Sequence, residues 1–372
     1  MKILFCTNQV NTHGGIERIL CQKINSLIQD FGHEVMLLTF DQKNQNSVYE
    51  LNKNVISEDL NINYHAGVSY FHPKNLIHAL QHFLKLKKSI KKFKPEIIIS
   101  ISYTPDQYFL PFISKKIPKI KELHASGIVV GEIALTGNKF AIFFKKKLIQ
   151  IFKKYDKLIV LNKDEIQYFE DYNTIVIPNF TDFSILKELI REKTIIAAGR
   201  IAEVKNFEEL AVIWSKIHLK FPDWQVKIFG NGSQQSIKKL KQKIDILGIS
   251  NSFFLLPSTK NIQEEFQKSE LYVMTSLNEC FPMVLLEAQV CGLPIVSYDC
   301  PNGPRNIIND NDDGFLIPIH DTNDFAEKLS LLMTRKDLRA EMSRKSKKNV
   351  LKFNKNDIMS DWNKLFKSLI NK

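Results

Sequence analysis

The chain has 372 residues, of which 44% are hydrophobic and 25% charged, and its formal net charge is +12. This composition excludes a disordered chain, and the length exceeds what one hydrophobic core normally serves, so we expect two domains. The start, MKILFCTNQV, lacks the features of a signal peptide, and no apolar run reaches the roughly 18 residues of a membrane span, so we expect a cytoplasmic protein.

The first half of the chain alternates short apolar runs with amphipathic patterns. This alternation is typical of βαβ units and a parallel sheet. Helices are predicted at residues 16–31, 76–93 and 139–155. The predicted strands are KILFCTN, EVMLLTF, EIIISIS, PKIKELHA, KLIVLN and IVIPNF.

The second half repeats the pattern, with strands TIIAAGR, QVKIFGNG, SFFLLPS, LYVMTS and PIVSYD, and with a long helix after the first of them. The predicted fold class is therefore α/β, with two doubly wound Rossmann-like domains facing across a cleft that holds the active site. The predicted ranges are 1–180 and 192–355, followed by a carboxy-terminal helix, 356–372, expected to pack back on the first domain.

Glycines follow a predicted strand in each half. Gly14 and Gly15 come directly before a helix, where close backbone approach and free N–H groups suit a phosphate. The alternative is a flexible turn that caps the helix. Gly230 and Gly232 form a truncated G-x-G after QVKIF, and a turn that needs positive φ explains them equally well.

Two cations follow the first strand of the second half. Arg200 comes just after the strand, and Lys205 lies five residues further on, ahead of a helix. Arginine can grip a diphosphate bidentately and lysine adds a point charge. A solvated basic loop is the alternative.

SLNECFPMVLLEAQVCG is the most specific stretch. Proline in the first turn and glycine after the last predict a helix over Pro282–Cys291. Its start would hold a phosphate on the amides of Phe281, Met283 and Val284. Glu279 precedes the helix, and Glu287 inside it could accept ribose hydroxyls, or else pair with an internal arginine or cap a loop. The turn 301–304, PNGP, would form a rigid wall beside the ligand.

GGIER, GR-x4-KN, GNG, VIPN, FPMVLLEA and CGLPIVSYDCPNGPR occur in that order. In these motifs the chain resembles the retaining glycosyltransferases of family 4, which have the GT-B fold. The resemblance runs from Gly14 to Arg305 and extends towards Trp362. It implies transfer of a sugar from a nucleotide diphosphate sugar, UDP-hexose or UDP-N-acetylhexosamine, to a lipid-linked glycan acceptor in bacterial surface polysaccharide or glycoconjugate synthesis.

The resemblance also implies roles for individual residues. Arg200 and Lys205 would bind the donor diphosphate, Glu287 the ribose and Glu279 the transferred sugar. His124, otherwise an ordinary loop histidine, would lie near that sugar, so the implied catalytic residues are Glu279, His124, Arg200 and Lys205. The implied donor-binding residues are Gly15, Gly199, Arg200, Lys205, Gly230, Phe281, Met283, Val284 and Glu287.

Some positions depart from the family pattern and leave the sugar preference open. Cys280 replaces a frequent glycine, Asn306 replaces an acid, and Ser233-Gln234 replace more acidic residues. No D-x-D magnesium motif is present, so we expect a metal-independent enzyme without a cofactor. Because no nucleophile stands out, front-face departure is favoured for retention. The five cysteines show no C-x-x-C pair, which predicts reduced, buried thiols.

The positive charge is concentrated in one segment. Seventeen lysines and five acidic residues lie between His82 and Lys157, a surplus that equals the net charge of the chain. We expect amphipathic helices near 83–94 and 139–155 to hold the protein at the inner leaflet of the cytoplasmic membrane. Their apolar faces could instead pack on the first sheet, and the lysines alone could then adhere to an anionic surface. The apolar residues concerned are Phe83, Leu86, Ile90, Phe93, Phe140, Phe143, Phe144, Leu148, Ile151 and Phe152.

Two other classes stay open at this point. A GT-B epimerase or glycan phosphorylase would share the fold, and a phosphorylase would need a lysine for pyridoxal phosphate. A nucleic-acid-binding protein could use the lysines of 85–94 and 145–154, but no known reader motif accompanies them.

Overall fold

The computed structural model describes residues 1–65, 67–68, 70–128, 149–183 and 189–371. The chain divides into two compact units, one formed by Met1–Asn179 with Asn356–Lys372 and the other by Phe180–Lys355. Each unit contains one parallel sheet with helices, which confirms the predicted α/β class with two doubly wound domains.

The described part of the first unit holds a seven-stranded sheet in the order β3-β2-β1-β4-β5-β6-β7. Every neighbouring pair is parallel. The central strands are rich in β-branched residues and buried on both faces, as covered parallel sheets require. The short edge strand β3, ISED, was not predicted because half of its residues are acidic. The strands are β1 (Lys2–Thr7), β2 (Glu34–Thr39), β3 (Ile56–Asp59), β4 (Ile97–Ile101), β5 (Lys119–Glu122), β6 (Lys157–Val160) and β7 (Thr174–Val176).

Two long helices of this unit are α1 (Gly15–Gln29) and α2 (Pro73–Phe93). The second begins three residues before its predicted start, because proline occupies the first turn and the His72 side chain accepts a hydrogen bond from the Lys74 amide at 3.3 Å. The helix ends at Phe93, and its C-cap residue, Lys94, has a φ of +54°. Of the helix predicted over 139–155, residues 139–148 lie outside the described residues, and Gln150–Lys154 form a 3-10 turn.

The apolar residues predicted to face a membrane pack instead into the first unit. Leu86, Ile90, Phe93 and Phe152 are buried in one core cluster. The partly buried Phe83 and Ile151 pack against the same cluster. For the four buried side chains the membrane-facing role is therefore wrong, and the alternative, packing on the first sheet, holds. Phe140, Phe143, Phe144 and Leu148 lie outside the described residues.

The described part of the second unit holds a six-stranded parallel sheet in the order β10-β9-β8-β11-β12-β13. Its strands are β8 (Thr194–Ala198), β9 (Gln225–Phe229), β10 (Phe253–Leu256), β11 (Leu271–Met274), β12 (Ile295–Tyr298) and β13 (Gly314–Ile317). Its helices are α3 (Phe207–Ser215), α4 (Gln234–Ile246), α5 (Ile262–Lys268), α6 (Met283–Val290), α7 (Thr322–Thr334) and α8 (Lys336–Asn349). The helix predicted to be long, α3, has only nine residues.

The last helix, α9 (Lys355–Ile370), packs within the first unit. The Lys23 ammonium lies 4.0 Å from the centroid of the Trp362 ring, and His33 Nε2 lies 2.9 Å from Asn363 Oδ1. Trp362 is fully buried, so its ring is an anchor of the helix. Among the described residues, no helix is both long and apolar enough to cross a membrane.

Candidate active site

The loop after β8 carries the two predicted cations of the second unit. Arg200 is exposed, and Lys205 ends a 3-10 turn, Glu203–Lys205. The loop is tied to the end of β11, because Thr275 Oγ1 donates to the carbonyl of Lys205 at 3.0 Å and the Leu277 amide donates to the carbonyl of Val204 at 2.8 Å. Thr275 was not predicted, because its only signal was a polar residue at a strand end.

Lys205 and Glu279 form an ion pair in the second unit. Lys205 Nζ lies 2.5 Å from Glu279 Oε1, with side-chain exposures of 21% and 15%. The structure thus brings together a residue predicted to bind the diphosphate and one predicted to contact the sugar. Both side chains keep access to solvent, so a phosphate could compete with Glu279 for the lysine.

Glu279 also lies next to the start of α6. The helix is one residue shorter at each end than predicted, with Pro282 and Cys291 as its caps. The N-cap residue, Pro282, offers no side-chain hydrogen bond, so the backbone amides at this helix start suit an anion. Phe281, just before the helix, packs edge-on against Phe353 at 5.5 Å, which fixes this segment in the unit.

The PNGP turn packs directly on this segment. Glu279 and Asn302 form a parallel bridge. A Cβ at Gly303 would lie 2.8 Å from Glu279 Cβ and 2.9 Å from Pro282 Cδ, so only glycine fits. Asn302 takes a φ of +71°. This turn therefore supports the backbone of Glu279.

Glu287 lies on α6 and is only 3% exposed. Burial raises the pKa of the Cys291 thiol to about 12. The nearby Glu287 carboxylate adds to this shift, and Arg191 opposes it. The buried position means that little of this carboxylate is open to a ribose before a nucleotide binds. Its role in ribose binding stays a prediction.

Gly199 and Gly230 mark a close approach of two loops. A Cβ at Gly230 would lie 1.9 Å from the carbonyl oxygen of Gly199, and one at Gly232 would lie 2.4 Å from that of Ile201. Neither Gly230 nor Gly232 has a positive φ. A turn with positive φ, the alternative considered for Gly230 and Gly232, therefore does not explain these glycines. They instead let the ends of β8 and β9 approach each other.

A cavity of about 380 Å³ lies beside the loop after β8. The loop contributes Ala202 and Glu203, and α4 contributes Ser236 and Lys239. Lys239 Nζ pairs with Glu208 Oε1 at 2.9 Å. The sequence pattern gave no signal for this cavity, because its wall comes from two separate helices and a loop.

In the first unit, His124 follows β5 and is held by a carboxylate that sequence reasoning missed. His124 Nε2 lies 3.0 Å from Glu122 Oε1, and the same oxygen pairs with Lys23 Nζ. Side-chain exposure is 4% for His124, 0% for Glu122 and 3% for Lys23. Burial alone raises the pKa of Glu122, but Lys23 and His124 outweigh it and bring that pKa to about 2.

Strand β5 carries unusual charge for a buried strand. All four residues of KIKE are buried, including Lys119 and Lys121. Lys121 Nζ donates to Ser100 Oγ at 3.0 Å and to the carbonyl of Ser102, and burial lowers its pKa to about 8. Charged residues alternating within a predicted strand were the available signal for this polar interior.

Gly14 and Gly15, the glycine pair of the first unit, lie beside a carboxylate. Helix α1 begins at Gly15, and a Cβ at Gly14 would lie 2.0 Å from Glu17 Oε2. Thr12 Oγ1 donates to Glu17 Oε1 at 2.8 Å, which holds the carboxylate over the helix start. A carboxylate there stabilises the positive end of the helix dipole and opposes a phosphate. The predicted phosphate contact of Gly15 therefore requires Glu17 to move.

Among the described residues, the cysteines and the potential metal ligands do not indicate a further site. All five cysteines are free and four are buried, but Cys280 is partly exposed, so the prediction of buried thiols is wrong there. Within the described ranges, no three His, Cys, Asp or Glu side chains cluster so as to hold a metal ion. Metal independence stays a prediction.

The geometry can be compared with known proteins. The sequence model described as Glycosyl transferases group 1 matches residues 181–349, and that described as Glycosyltransferase Family 4 matches residues 13–184. The amylovoran biosynthesis glycosyltransferase AmsD of Erwinia amylovora is 24% identical over 97% of this chain and 98% of its own.

Two further comparisons cover essentially the whole chain. A Campylobacter jejuni α-1,4-N-acetyl-D-galactosaminyltransferase, named for an undecaprenol-diphosphate-linked acceptor, is 25% identical over 100% of this chain and 99% of its own. Anabaena HepE, solved in complex with UDP, has a TM-score of 0.76 at 16% identity and covers 99% of this chain and 100% of its own. The two sheets, the family matches and these relatives agree: the chain belongs to the group 1, or family 4, glycosyltransferases and has the GT-B fold.

Proposed function

We propose that this glycosyltransferase moves a hexose or N-acetylhexosamine from a UDP-sugar to a lipid-linked glycan in bacterial surface polysaccharide or glycoconjugate synthesis. The Lys205–Glu279 ion pair beside the uncapped start of α6 carries the proposal. UDP in the HepE structure and the undecaprenol-linked acceptor in the name of the Campylobacter relative support the donor and acceptor classes.

The leaving diphosphate needs positive charge as its bond to the sugar breaks. Arg200 and Lys205 supply cations, and the amides at Phe281, Met283 and Val284 supply N–H donors at a helix start. Preorganised groups of this kind are usually the largest catalytic contribution. When Lys205 turns to the phosphate, Glu279 Oε1 becomes free to accept hydroxyl hydrogen bonds from the sugar.

The remaining roles follow from the family resemblance. Glu287 contacts the ribose, His124 lies near the transferred sugar, and Gly15, Gly199 and Gly230 allow close approach of the phosphates. The reaction retains the anomeric configuration by front-face departure and needs no metal ion. Each assignment concerns a different residue or a different feature of the reaction, so each can be tested on its own.

Product analysis tests the proposal most directly. Incubating the protein with a panel of UDP-sugars and lipid-linked acceptors, with and without EDTA, should yield one glycosylated product with retained configuration in both conditions. Restoration of an EDTA-inhibited reaction by magnesium would contradict metal independence. Calorimetry should show UDP binding that weakens in Lys205→Ala, and unchanged affinity in that variant would remove Lys205 from the donor site.

We also propose that the enzyme works as a peripheral protein at the cytoplasmic face of the membrane, where a lipid-linked acceptor would be presented. The lysine-rich segment between His82 and Lys157 supports this. Lys119 and Lys121 are buried in β5 and do not contribute to the surface. Lysines near an anionic leaflet contribute about 1 kcal/mol each, so the rest of the segment would suffice for reversible adsorption.

A further inference from the structure

Helix α2 exposes four large aliphatic side chains along its first half. Leu76, Ile77, Leu80 and Leu84 are between 54% and 69% exposed. With 3.6 residues per turn, these four positions lie within a stripe about 100° wide. The buried residues of the helix lie on the opposite side: Asn75, His82, Leu86, Ser89, Ile90 and Phe93. The helix therefore has a second apolar face that the core of its unit does not use.

The same stripe becomes basic in the second half of the helix. Lys87 and Lys91 are exposed and fall within the same roughly 100° of the helical wheel. The sequence of α2, PKNLIHALQHFLKLKKSIKKF, contains six lysines and no acidic residue. One face of one helix thus combines exposed aliphatic groups with uncompensated positive charge.

Neighbouring residues extend this surface. The buried side of α2 shares a core cluster with Leu110 and Phe152, so the 3-10 turns around them cover the same sheet face. Phe112 ends the turn Leu110–Phe112 and is 49% exposed, and Lys154 Nζ of the turn Gln150–Lys154 lies 5.6 Å from its ring centroid. Two lysine-rich parts of the sequence therefore cover the same face of the first sheet.

We propose that this stripe is a membrane-docking surface, in which Leu76, Ile77, Leu80 and Leu84 enter the headgroup–acyl boundary of an anionic bilayer. The inference rests on the proposed membrane association and assigns the residues that carry it. An aliphatic stripe with lysines is the pattern of a helix lying in the membrane interface. Lys87 and Lys91 contact lipid phosphates, while the buried side of the helix stays on the sheet.

Charge favours a bilayer over a second copy of the chain. In an antiparallel pair of α2 helices, Lys87 and Lys91 of one copy would face the aliphatic half of the other. In a parallel pair, lysines would face lysines. Because α2 has no acidic residue, neither arrangement supplies a counter-charge from the helix, and burying such lysines is costly. Anionic lipid supplies both an apolar layer and phosphates.

Co-sedimentation with vesicles of phosphatidylcholine, with and without phosphatidylglycerol, tests the proposal. The double variant Leu76→Ser, Leu80→Ser should partition into anionic vesicles at least about tenfold less than the unchanged protein, because interfacial binding scales with buried apolar area. The matched control is Leu219→Ser with Leu351→Ser, two leucines of the second unit that are 83% and 64% exposed. The control should bind like the unchanged protein.

Three outcomes would overturn the proposal. The first is equal vesicle binding by both double variants. The second is a dimer of the unchanged protein, seen by light scattering, that dissociates in the α2 variant, which would make a second copy the occupant. The third is no binding of the unchanged protein to anionic vesicles. UDP affinity, measured in parallel, should be the same in all three proteins. If the unchanged protein binds UDP but not the vesicles, the proposed docking surface is wrong and the proposed glycosyl transfer still stands.

Discussion

A lysine–glutamate pair contacts a predicted site residue in the first unit and is formed by two such residues in the second, and the two pairs differ in their surroundings. Lys23 and Glu122 in the first unit are 3% and 0% exposed, whereas Lys205 and Glu279 in the second are 21% and 15% exposed. The first lysine also lies over the Trp362 ring, which restricts its movement. The same chemistry therefore gives a fixed support for His124 in one unit and, in the other, a solvent-accessible pair whose lysine a ligand could reach.

Removing the carboxylate of each pair should separate these roles most clearly. Glu122→Leu leaves Lys23 charged and buried without its partner, which typically costs about 3–5 kcal/mol. Glu279→Leu leaves a lysine that can reach water, so the loss should be about 1 kcal/mol or less. Urea unfolding of both variants measures the difference, and equal losses would show that the first pair is not the more important one for stability.

Acid should break the buried pair by titration. The folded pKa of Glu122, about 2, lies below its ordinary value of 4.5. A depressed carboxyl pKa gives stability that is present above the unfolded pKa and is lost as the pH falls through the folded pKa. Between pH 4.5 and 2 this contribution, on the order of 3 kcal/mol, should disappear. The pH dependence of unfolding in Glu122→Gln should be flatter in that window, and parallel curves would contradict the assignment.

The exposed pair should matter for turnover instead. Lys205→Ala removes the cation that we propose meets the leaving diphosphate, so turnover should fall by about a hundredfold or more while the unfolding midpoint stays nearly unchanged. The matched control is Lys227→Ala, because Lys227, on β9 of the same unit, is 22% exposed and pairs with Glu192 at 3.2 Å. Equal activity of the two variants would remove Lys205 from the reaction.

The sequence could predict much of the fold because periodicity and strand punctuation are local. Helix α6 was placed within one residue at each end by Pro282 and Gly292. Strand β3 was missed because an edge strand needs little apolar character. The buried group of Lys23, Glu122 and His124 could not be predicted, because Lys23 and Glu122 are 99 residues apart and meet only after α1 packs on the sheet.

A third carboxylate, Glu287, offers the finest test of the comparison, because it is as buried as Lys23 but belongs to the second unit. If Glu287 binds the ribose, replacing it should weaken binding of the donor and leave the stability of the fold unchanged. Glu287→Gln keeps the size of the side chain but removes its charge, so UDP affinity should fall by about 1.5–3 kcal/mol, the range for hydrogen bonds to charged groups. Calorimetry with UDP, next to urea unfolding of the same variant, separates the alternatives. Unchanged UDP affinity with reduced stability would make Glu287 a structural residue like Glu122.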